Sequence, residues 1–428
     1  MKKPTLSLSI LLLLCISYSC RNDKKLSRQE KKEVVENYDS TTVKTTVGDL
    51  LLPPPYATEA VTKESKTVAW KDDQAPKAPE GFTVTRFADE FDSPRWTYIA
   101  PNGDYFVAEA GTRNSADRIT LLRDTDDDAQ PDLRHVFLED LNQPLGMLVL
   151  NGYFYVANTD GLYRYPYTEG DTRIETEGEK IVELSASGYN NHWTRNIISN
   201  RDGSKIYISV GSASNVGEQG MEKEEGRALI FEVNPDGSGK RVYASGLRNP
   251  VGMDWNPVTG DLWTAVNERD ELGDGLVPDY ATRVQDGGWY GWPYSYFGQV
   301  RDPRWKDDPH PDEVRKAIVP DVPLGSHTAS LGLAFYDAKT FPEHYHNGAF
   351  IGQHGSWNRS DFSGYKVVFI PFHEGFPQPP EDFLTGFIAD EGNDEVYGRP
   401  VGVTVTPAGD LLVNDDEGGI IWRVRVDK

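Results

Sequence analysis

The stretch NGYFYV (Asn151–Val156) joins a glycine-containing turn to four aromatic and β-branched residues, which is typical of a hairpin turn leading into a short strand. The same pattern recurs five times, each time with a short apolar run after the turn, at Gly103, Gly203, Gly260, Gly348 and Gly409. The six glycines are 49, 51, 57, 88 and 61 residues apart. A unit of roughly 40–60 residues has the size of one propeller blade, so the sequence predicts an all-β chain folded as a six-bladed β-propeller.

Two features extend this prediction. The longest interval contains an insertion between Glu268 and Pro323, and Phe82–Phe87 could pair with the C-terminal strand Ile420–Val426 to close the ring. A β-sandwich or two separate β domains stay open as alternatives, whereas the sequence has no long amphipathic helix pattern that would favour an α/β fold. Because a propeller gathers loops from every blade around one end of its channel, its functional residues are expected to be scattered along the chain.

Charge and cysteine content exclude several function classes. The 428 residues include 44 Lys and Arg against 67 Asp and Glu, a formal net charge of −23, so nucleic acid and anionic membrane surfaces are poor partners. Two cysteines exclude a disulfide scaffold, a cysteine-rich zinc site, an iron–sulfur cluster and a C-x-x-C-H haem. Phosphate-binding loops, Rossmann glycine motifs, serine-hydrolase elbows and H-E-x-x-H helices are also lacking in the sequence.

The N-terminus resembles an export signal. Two lysines precede the apolar run Leu6–Ile16, and Ser19-Cys20 then resembles the cleavage and lipidation site of a lipoprotein. We therefore expect residues 1–19 to be a signal peptide and Cys20 to anchor an exported protein by lipid, in the periplasm or at the cell surface. An ordinary secretory signal is the alternative.

The rest of the chain divides into two parts. Residues 20–75 are polar and charged, without a sustained apolar period, and predict a flexible tether. Residues 76–428 form the predicted β domain.

Three motifs in that domain could carry chemistry. His192, in NNHWTR, could be a general base, or a histidine bound only by backbone groups. Arg248 and Asn249, in GLRNPVG, supply donors suited to carboxylates or a quinone oxygen, or else form a simple turn. The insertion from Asn267 to Pro293 could bind Ca²⁺ through its carboxylates and backbone oxygens, or be a loop held by its own aromatic residues.

A fourth cluster is acidic: Asp124, Asp126, Asp128 and Asp132 alternate like the start of a calcium loop. Ala129 and His135 stand where such a loop has Gly and Glu, so a solvated acidic turn is the favoured interpretation and a surface Ca²⁺ site the alternative.

Several long segments together resemble one family. They are GLRNPVGMDWNP, LWTAVNERDELGD and GGWYGWPY, with LNQPLGM, NHWTRN, FIGQHGSWNR and GYKVVFIPF. From about Gly81 to Val426 the chain resembles the glucose/sorbosone dehydrogenase family and looks closest to its L-sorbosone dehydrogenase branch. The resemblance implies a six-bladed propeller that oxidises aldoses with pyrroloquinoline quinone (PQQ) and Ca²⁺.

The resemblance also implies roles for individual residues. His192 matches the general base that takes a proton from the anomeric hydroxyl of the sugar while hydride passes from C1 to the quinone. Gln143 matches a glutamine that contacts the cofactor, and Arg248 and Asn249 match the pair at the quinone oxygens. Tyr290 matches the residue whose backbone oxygen holds the catalytic Ca²⁺.

The chain departs from the family pattern at two glycines. Gly275 stands where members often have Glu, so Asp274 or Asp279 is the candidate side-chain ligand for Ca²⁺. Gly355 belongs to a segment that replaces an Ala-Leu-Lys stretch gripping the cofactor in some members. Arg359 is the nearest cation downstream, and a late pair of arginines in the family is reduced here to Arg399 in GRPVG. We expect Arg359 and Arg399 to bind the cofactor.

The resulting hypothesis is a PQQ-dependent dehydrogenase that oxidises an aldose or a sorbosone-like aldehyde to its lactone or acid. Because the sequence lacks haem-binding cysteines, a separate cytochrome or quinone would accept the electrons. A calcium-dependent lactonase and a non-catalytic carbohydrate-binding propeller are the alternatives.

Overall fold

The computed structural model describes residues 26–111, 115–126, 128–186 and 188–427. The N-terminal part contains one helix and three strands, followed by a strand that belongs to the main β domain. Their bounds are α1 (Arg28–Asn37), β1 (Thr41–Thr45), β2 (Gly48–Leu52), β3 (Lys66–Thr67) and β4 (Phe82–Ala88).

The main domain consists of six sheets, each with four antiparallel strands, and the first three sheets follow one another along the chain. The first sheet contains β5 (Pro94–Ile99), β6 (Tyr105–Glu109), β7 (Arg118–Arg123) and β8 (Leu133–Leu138). The second contains β9 (Met147–Leu150), β10 (Tyr153–Asn158), β11 (Gly161–Pro166) and β12 (Glu179–Glu183). The third contains β13 (Arg195–Ser199), β14 (Ile206–Val210), β15 (Leu229–Val233) and β16 (Arg241–Ser245).

The fourth sheet carries the predicted insertion before its last strand. It starts with β17 (Pro250–Trp255), β18 (Leu262–Val266) and β19 (Pro278–Arg283). The insertion contributes β20 (Gly288–Trp289), which pairs in parallel with β16, a hairpin of β21 (Ser295–Tyr296) and β22 (Val300–Arg301), and α2 (Pro311–Lys316). The sheet ends with β23 (Val322–Ser326).

The fifth and sixth sheets complete the domain. The fifth contains β24 (Ser330–Phe335), β25 (Ala349–Gln353) and β26 (Lys366–Ile370), then the hairpin of β27 (Phe372–His373) and β28 (Phe376–Pro377), and finally β29 (Glu381–Leu384). A short pair, β30 (Ile388–Asp390) and β31 (Glu395–Val396), follows. The sixth contains β32 (Pro400–Val405), β33 (Leu411–Asp415), β34 (Ile420–Val426) and the early strand β4.

The predicted closing pair is confirmed, because β34 is antiparallel to β4 with Val426 opposite Phe82. The all-β class is confirmed as well. The strand that follows each glycine-containing turn is the second strand of its sheet and is largely buried, since neighbouring sheets cover both of its faces. Between the first two sheets, for example, Phe106 and Phe154 lie with ring centroids 4.7 Å apart.

The first strands of the six sheets contact one another in cyclic order. Gly146 shows how close they come, because a Cβ at this position would lie 2.4 Å from the backbone nitrogen of Ile197. Each sheet contacts the next through one such pair of residues, and the sixth sheet contacts the first. In order from the contact between sheets one and two, the pairs are Tyr98–Val149, Gly146–Arg195, Asn196–Val251, Asp254–Phe335, Gly332–Val401 and Thr404–Thr97.

The segment predicted to be a flexible tether is folded over residues 26–75, which corrects that expectation. Val43 and Leu52 of the β1–β2 hairpin are buried against the fourth sheet and its insertion. Trp70 is buried too, and its indole N–H donates to the Asp415 carboxylate at 3.0 Å. The low apolar content of this segment did not indicate that it packs on the β domain. The packing depends on a few residues whose side chains are buried against parts of the chain that are distant in sequence.

The expected signal peptide and Cys20 lie outside the described residues. Within the described ranges, no helix has both the length and the apolar character needed to cross a bilayer.

Candidate active site

A cavity of about 710 Å³, called here the site cavity, lies where the first strands of the sheets begin. Its wall is built from residues that immediately precede or open these strands, together with the loops after the second strands. Residues before or at the start of first strands are Ser93, Arg95, His192, Trp193, Thr194, Arg248, Asn249, His327, Ala329 and Arg399. The sheets therefore bring together residues that are far apart in sequence, as predicted for a propeller.

His192 is buried in the wall, with 8% of its surface exposed. Its Nδ1 lies 3.0 Å from the backbone oxygen of Ser212, which can only accept, so Nδ1 carries the hydrogen. Nε2 is then the unprotonated nitrogen, and the amide of Asn191 lies 3.3 Å from it. Burial and the charge of Arg248 lower the pKa of His192 well below its usual 6.5, so the ring is neutral at pH 7 and can accept a proton.

A second layer fixes this orientation. The hydroxyl of Ser212 donates to the backbone oxygen of Ser214 at 2.6 Å, and the Ser214 hydroxyl donates to Glu224 at 2.5 Å. Arg195 is fully buried and donates to the His192 carbonyl at 2.8 Å. These bonds hold the ring in one tautomer and one position, as a general base requires.

Arg248 is almost completely buried, and all three of its side-chain nitrogens donate hydrogen bonds within the protein. Nε bonds the carbonyl of Asn215 at 3.1 Å, and Nη1 bonds the carbonyls of Asn267 (3.1 Å) and Glu268 (2.6 Å). Nη2 bonds Asn215 Oδ1 at 3.0 Å and Asp270 at 3.4 Å. Arg248 therefore holds three loops together and places a positive charge in the wall, rather than offering a free donor.

Asn249 presents unused hydrogen-bonding capacity. Its Oδ1 is buried and has no partner among the described residues. A Cβ on Gly211 would come within 2.2 Å of this oxygen, so the glycine leaves space for the amide. A buried acceptor without a partner is costly unless a bound molecule or ion satisfies it, which makes Asn249 a candidate binding residue.

Arg95 is a site residue that the sequence analysis missed. It forms an ion pair with the buried Asp416 and lies over the Trp193 ring, 5.3 Å from its centroid. His354 contacts the same carboxylate at 2.9 Å. Burial would raise the pKa of Asp416, but His354 and Arg95 outweigh it and hold the pKa below its usual range. The only available signal was the position of Arg95, at the start of a first strand.

His327 was also missed. Its Nδ1 lies 3.1 Å from Asp270 Oδ1 and its Nε2 lies 2.9 Å from the Gly273 carbonyl. Burial opposes protonation, but these two acceptors raise the pKa of His327 above its usual value. Because both ring nitrogens face acceptors, His327 favours the cationic form and contrasts with the neutral His192.

Arg399 lies in the wall as expected. It donates to the carbonyls of His354 and Gly355, both at 2.8 Å, and its guanidinium lies 5.4 Å from the Tyr365 ring centroid. Gly355 has a φ of 99°, and a Cβ there would come within 2.4 Å of the Tyr365 ring. Tyr365 thus occupies the space that a longer side chain at position 355 would need.

The other predicted residues do not line the site cavity. Gln143 comes nearest, since its amide donates at 2.8 Å to the carbonyl of Gly111, a wall residue. Tyr290 is buried below the wall, where its hydroxyl donates to the Arg283 carbonyl at 2.7 Å. The neighbouring Trp292 reaches closer, because its indole N–H donates to the Asn215 carbonyl that also binds Arg248.

Asp274 and Arg359, expected as a Ca²⁺ ligand and a cofactor-binding cation, do not line the cavity and bind each other's loops. Arg359 donates to the Asp274 carbonyl at 2.7 Å, and the Asp274 carboxylate accepts from the Ser360 amide at 3.0 Å. The alternative ligand Asp279 is enclosed, accepting from the amides of Glu268 (2.8 Å) and Ser330 (2.7 Å). All three side chains serve loop structure here.

The acidic turn lies far from these groups in the fold, at the end of β7. Carboxylate oxygens of Asp124, Asp126 and Asp128 lie within 4.8 Å of one another. Asp124 accepts the Ala129 amide at 2.7 Å, which is the bond of an ordinary acidic turn. Both interpretations of this turn therefore remain.

The wall suits the cofactor that the sequence implies. A planar tricarboxylate needs cations and aromatic surface, and the cavity supplies Arg95, Arg248 and Arg399 with Trp193 and Trp357. The unpartnered oxygen of Asn249 is a ligand type that Ca²⁺ accepts. The residues present therefore fit the pair of PQQ and Ca²⁺.

Comparison with known proteins gives one family model and several relatives. The model described as TrAA12-like matches residues 76–280 and 305–427. A PQQ-dependent sugar dehydrogenase of Hypocrea jecorina is 24% identical over 399 residues, which cover 81% of this chain and 89% of the relative.

Two solved structures share the fold. The holo PQQ domain of pyranose dehydrogenase from Coprinopsis cinerea superposes with a TM-score of 0.68 at 20% identity, over 83% of this chain and 98% of that domain. The calcium structure of a Trichoderma reesei enzyme of carbohydrate-active family AA12 gives 0.69 at 20% identity, over 82% of this chain and 97% of its own.

Proposed function

The chain belongs to the TrAA12-like family, and from that premise we propose that it is a sugar oxidoreductase that uses PQQ and Ca²⁺. The names of its relatives support this, since they include PQQ-dependent sugar and pyranose dehydrogenases and a calcium-containing AA12 enzyme. The resemblance of the sequence to the glucose/sorbosone dehydrogenase family also supports a PQQ-dependent sugar oxidoreductase.

One observation carries the proposal for this chain itself. The site cavity places the unprotonated Nε2 of a neutral His192 among the guanidinium groups of Arg95, Arg248 and Arg399. A neutral base beside a cluster of fixed positive charge is suited to removing a proton from a hydroxyl while negative charge develops nearby.

In this mechanism, Arg95 and Arg399 would hold the carboxylates of the cofactor, and the Asn249 amide would contact its polar edge or the metal. Bound PQQ supplies an acceptor for the hydride that leaves C1 of the sugar. His192 Nε2 takes the proton of the anomeric hydroxyl, and Ser212 stabilises the resulting imidazolium through Nδ1. Arg248 stabilises developing negative charge without having to move, because its five hydrogen bonds already fix it.

We also propose that the six sheets are the blades of a closed six-bladed propeller. The cyclic contacts between first strands and the pairing of β34 with β4 support this arrangement. The remaining parts of the proposal rest on the sequence: an aldose or sorbosone-like aldehyde as substrate, a separate cytochrome or quinone as electron acceptor, and export with a lipid anchor at Cys20.

Reconstitution tests the proposed function. The purified protein is mixed with PQQ and Ca²⁺, and dye reduction is followed with a panel of aldoses and with sorbosone. We expect sugar-dependent reduction that requires the quinone and is abolished by EDTA. Failure of the quinone to bind at micromolar concentration, or binding without oxidation of any sugar, would overturn the proposal.

A further inference from the structure

The N-terminal segment Pro53–Thr67, called here the strap, forms part of the site cavity although it precedes the region matched by the family model. Glu64, Ser65 and Thr67 of the strap line the cavity. The strap is fixed to the wall opposite: the Lys63 amide donates to the Trp357 carbonyl at 2.8 Å, and the Asn358 side chain donates to the Val61 carbonyl at 2.9 Å.

The strap is held at its ends as well. The Tyr56 amide donates to the Leu272 carbonyl at 2.7 Å, and β3 pairs in parallel with β31. The loop that follows β18 carries two glycines against it. A Cβ on Gly273 would lie 2.7 Å from the Thr58 carbonyl, and a Cβ on Gly275 would lie 2.8 Å from the Pro53 ring. The departure from the family pattern at Gly275 is thus the position where the strap packs.

Charge in the cavity is arranged in two levels. At the inner level the carboxylates are paired: Asp270 contacts Arg248 and His327, and Asp416 contacts Arg95 and His354. At the rim, Glu64 of the strap and Glu417 after β33 are both exposed. Among the described residues that line the cavity, these two are the carboxylates for which no ion pair is formed.

The strap contacts the second rim group, because the Thr67 hydroxyl donates to the Glu417 carboxylate at 3.3 Å. The inner cations and the rim anions therefore face the same space from different depths. A neutral molecule can cross this rim without charge repulsion, whereas an anionic molecule small enough to remain at the rim is repelled.

We propose that the strap is a specificity element of the site and that Glu64 makes the enzyme discriminate against acidic sugars in favour of neutral ones. This inference rests on the proposed function. Repulsion between two unit charges about 6 Å apart in water corresponds to roughly a threefold change in affinity, and salt reduces it. The effect falls on KM for acidic sugars, because Glu64 lies at the rim rather than beside His192.

The test compares a neutral hexose with the uronic acid of the same configuration, using the full chain reconstituted with PQQ and Ca²⁺. We expect Glu64→Gln to raise kcat/KM for the uronic acid about threefold relative to the hexose at low ionic strength, with kcat for the hexose unchanged. PQQ titration followed by its absorbance provides a second measurement. Removing one rim charge should also speed association of this trianion, by a similar factor.

Glu59→Gln is the matched control, since Glu59 is an exposed carboxylate of the same strap that does not line the cavity. The inference is overturned if Glu64→Gln changes neither the ratio of kcat/KM values for the two sugars nor the PQQ association rate, or if Glu59→Gln changes them equally. Wild-type turnover of the hexose would in that case still support the proposed function. A wild-type protein that neither bound PQQ nor oxidised the hexose would instead overturn the proposed function, and this inference with it.

Discussion

Two cavities lie along the first strands of the sheets, and they differ in how their polar groups are used. The site cavity is lined by loops. Its Asn249 Oδ1 has no partner among the described residues, and His192 Nε2 meets the Asn191 side-chain amide in a long contact of 3.3 Å. The second, called here the strand cavity, has about 410 Å³ and is lined by the strands themselves. Its buried carboxyl, Asp254, accepts the amides of Trp255 and Phe335, both at 2.7 Å.

The two cavities therefore differ in how protein groups satisfy their polar atoms as well as in size. In the strand cavity the carboxyl of Asp254 binds backbone amides and helps to fix neighbouring strands. In the site cavity, Ser212 fixes the Nδ1 side of His192, whereas its Nε2 side meets the Asn191 side chain at 3.3 Å. The difference indicates that the residues to test are those whose polar atoms have a long contact, or no partner, among the described protein groups.

The largest expected effect is at His192. We expect His192→Ala to lower kcat about 10²- to 10⁴-fold, because a positioned general base is removed, while the quinone still binds. Dye reduction measures kcat, and absorbance titration measures cofactor binding. A variant that kept more than a tenth of wild-type kcat would remove the functional distinction between the two cavities.

Asp254→Asn tests whether the buried carboxyl of the strand cavity has a structural role. Burial raises the pKa of Asp254 to about 7, above the 3.8 of an exposed carboxyl. The folded state therefore binds the proton more tightly than the unfolded chain. The stability that this provides is complete below pH 3.8 and is lost as the pH rises to about 7, on the order of 4 kcal/mol.

The asparagine variant should lack this part of the pH dependence and should keep wild-type kcat. Urea unfolding at pH 5 and pH 8 gives the change in unfolding free energy for both proteins. Other buried carboxyls contribute equally to both and cancel in the difference. The same pH dependence in variant and wild type, or a large fall in kcat, would contradict the structural role.

Gly275→Glu tests how far the site cavity depends on the strap. The new side chain would collide with Pro53, so we expect a loss of about 1–3 kcal/mol of unfolding free energy, as in other overpacked sites. Pro53→Gly in the same chain should restore part of that loss. Equilibrium unfolding of both single variants and the double variant measures the coupling, and strict additivity would show that the two residues do not touch.

The smallest expected effect concerns pH. Since His192 must be unprotonated to act, activity should fall as the pH drops through its lowered pKa, which places the acidic limb of kcat/KM below pH 6.5. Arg248→Met should move the limb upward, because burial and then the Arg248 charge lower this pKa. Asp254→Asn should leave the limb in place. If the acidic limb of the pH profile moved in Asp254→Asn, this would show that the two cavities are energetically coupled.

The sequence predicted much of the β domain because its signals are local. Glycine turns followed by apolar runs, as in NGYFYV, locate the second strand of each sheet, and the pairing of Phe82–Phe87 with the last strand followed from their patterns. The strap was not predictable, because its order comes from tertiary contacts such as that of Val61 with Asn358.

The site was predictable in part for the same reason. His192, Arg248, Asn249 and Arg399 lie in the cavity wall, as their motifs suggested. Motif proximity does not reveal which way a side chain points, and Asp274, expected as a Ca²⁺ ligand, does not line the cavity. Arg95 and His327 do not belong to a sequence motif that indicates a functional site. Only their positions next to first strands in the structure identify them as residues of the cavity wall.

The pairing of β4 with β34 has a consequence for synthesis. About 330 residues separate the two strands, so Ala88 has left the ribosome long before Ile420 is made. At about 5–20 residues per second this delay is roughly 17–66 s. During that time β4 is a nascent strand without its partner, and a chaperone that shields such strands would act most usefully on β4.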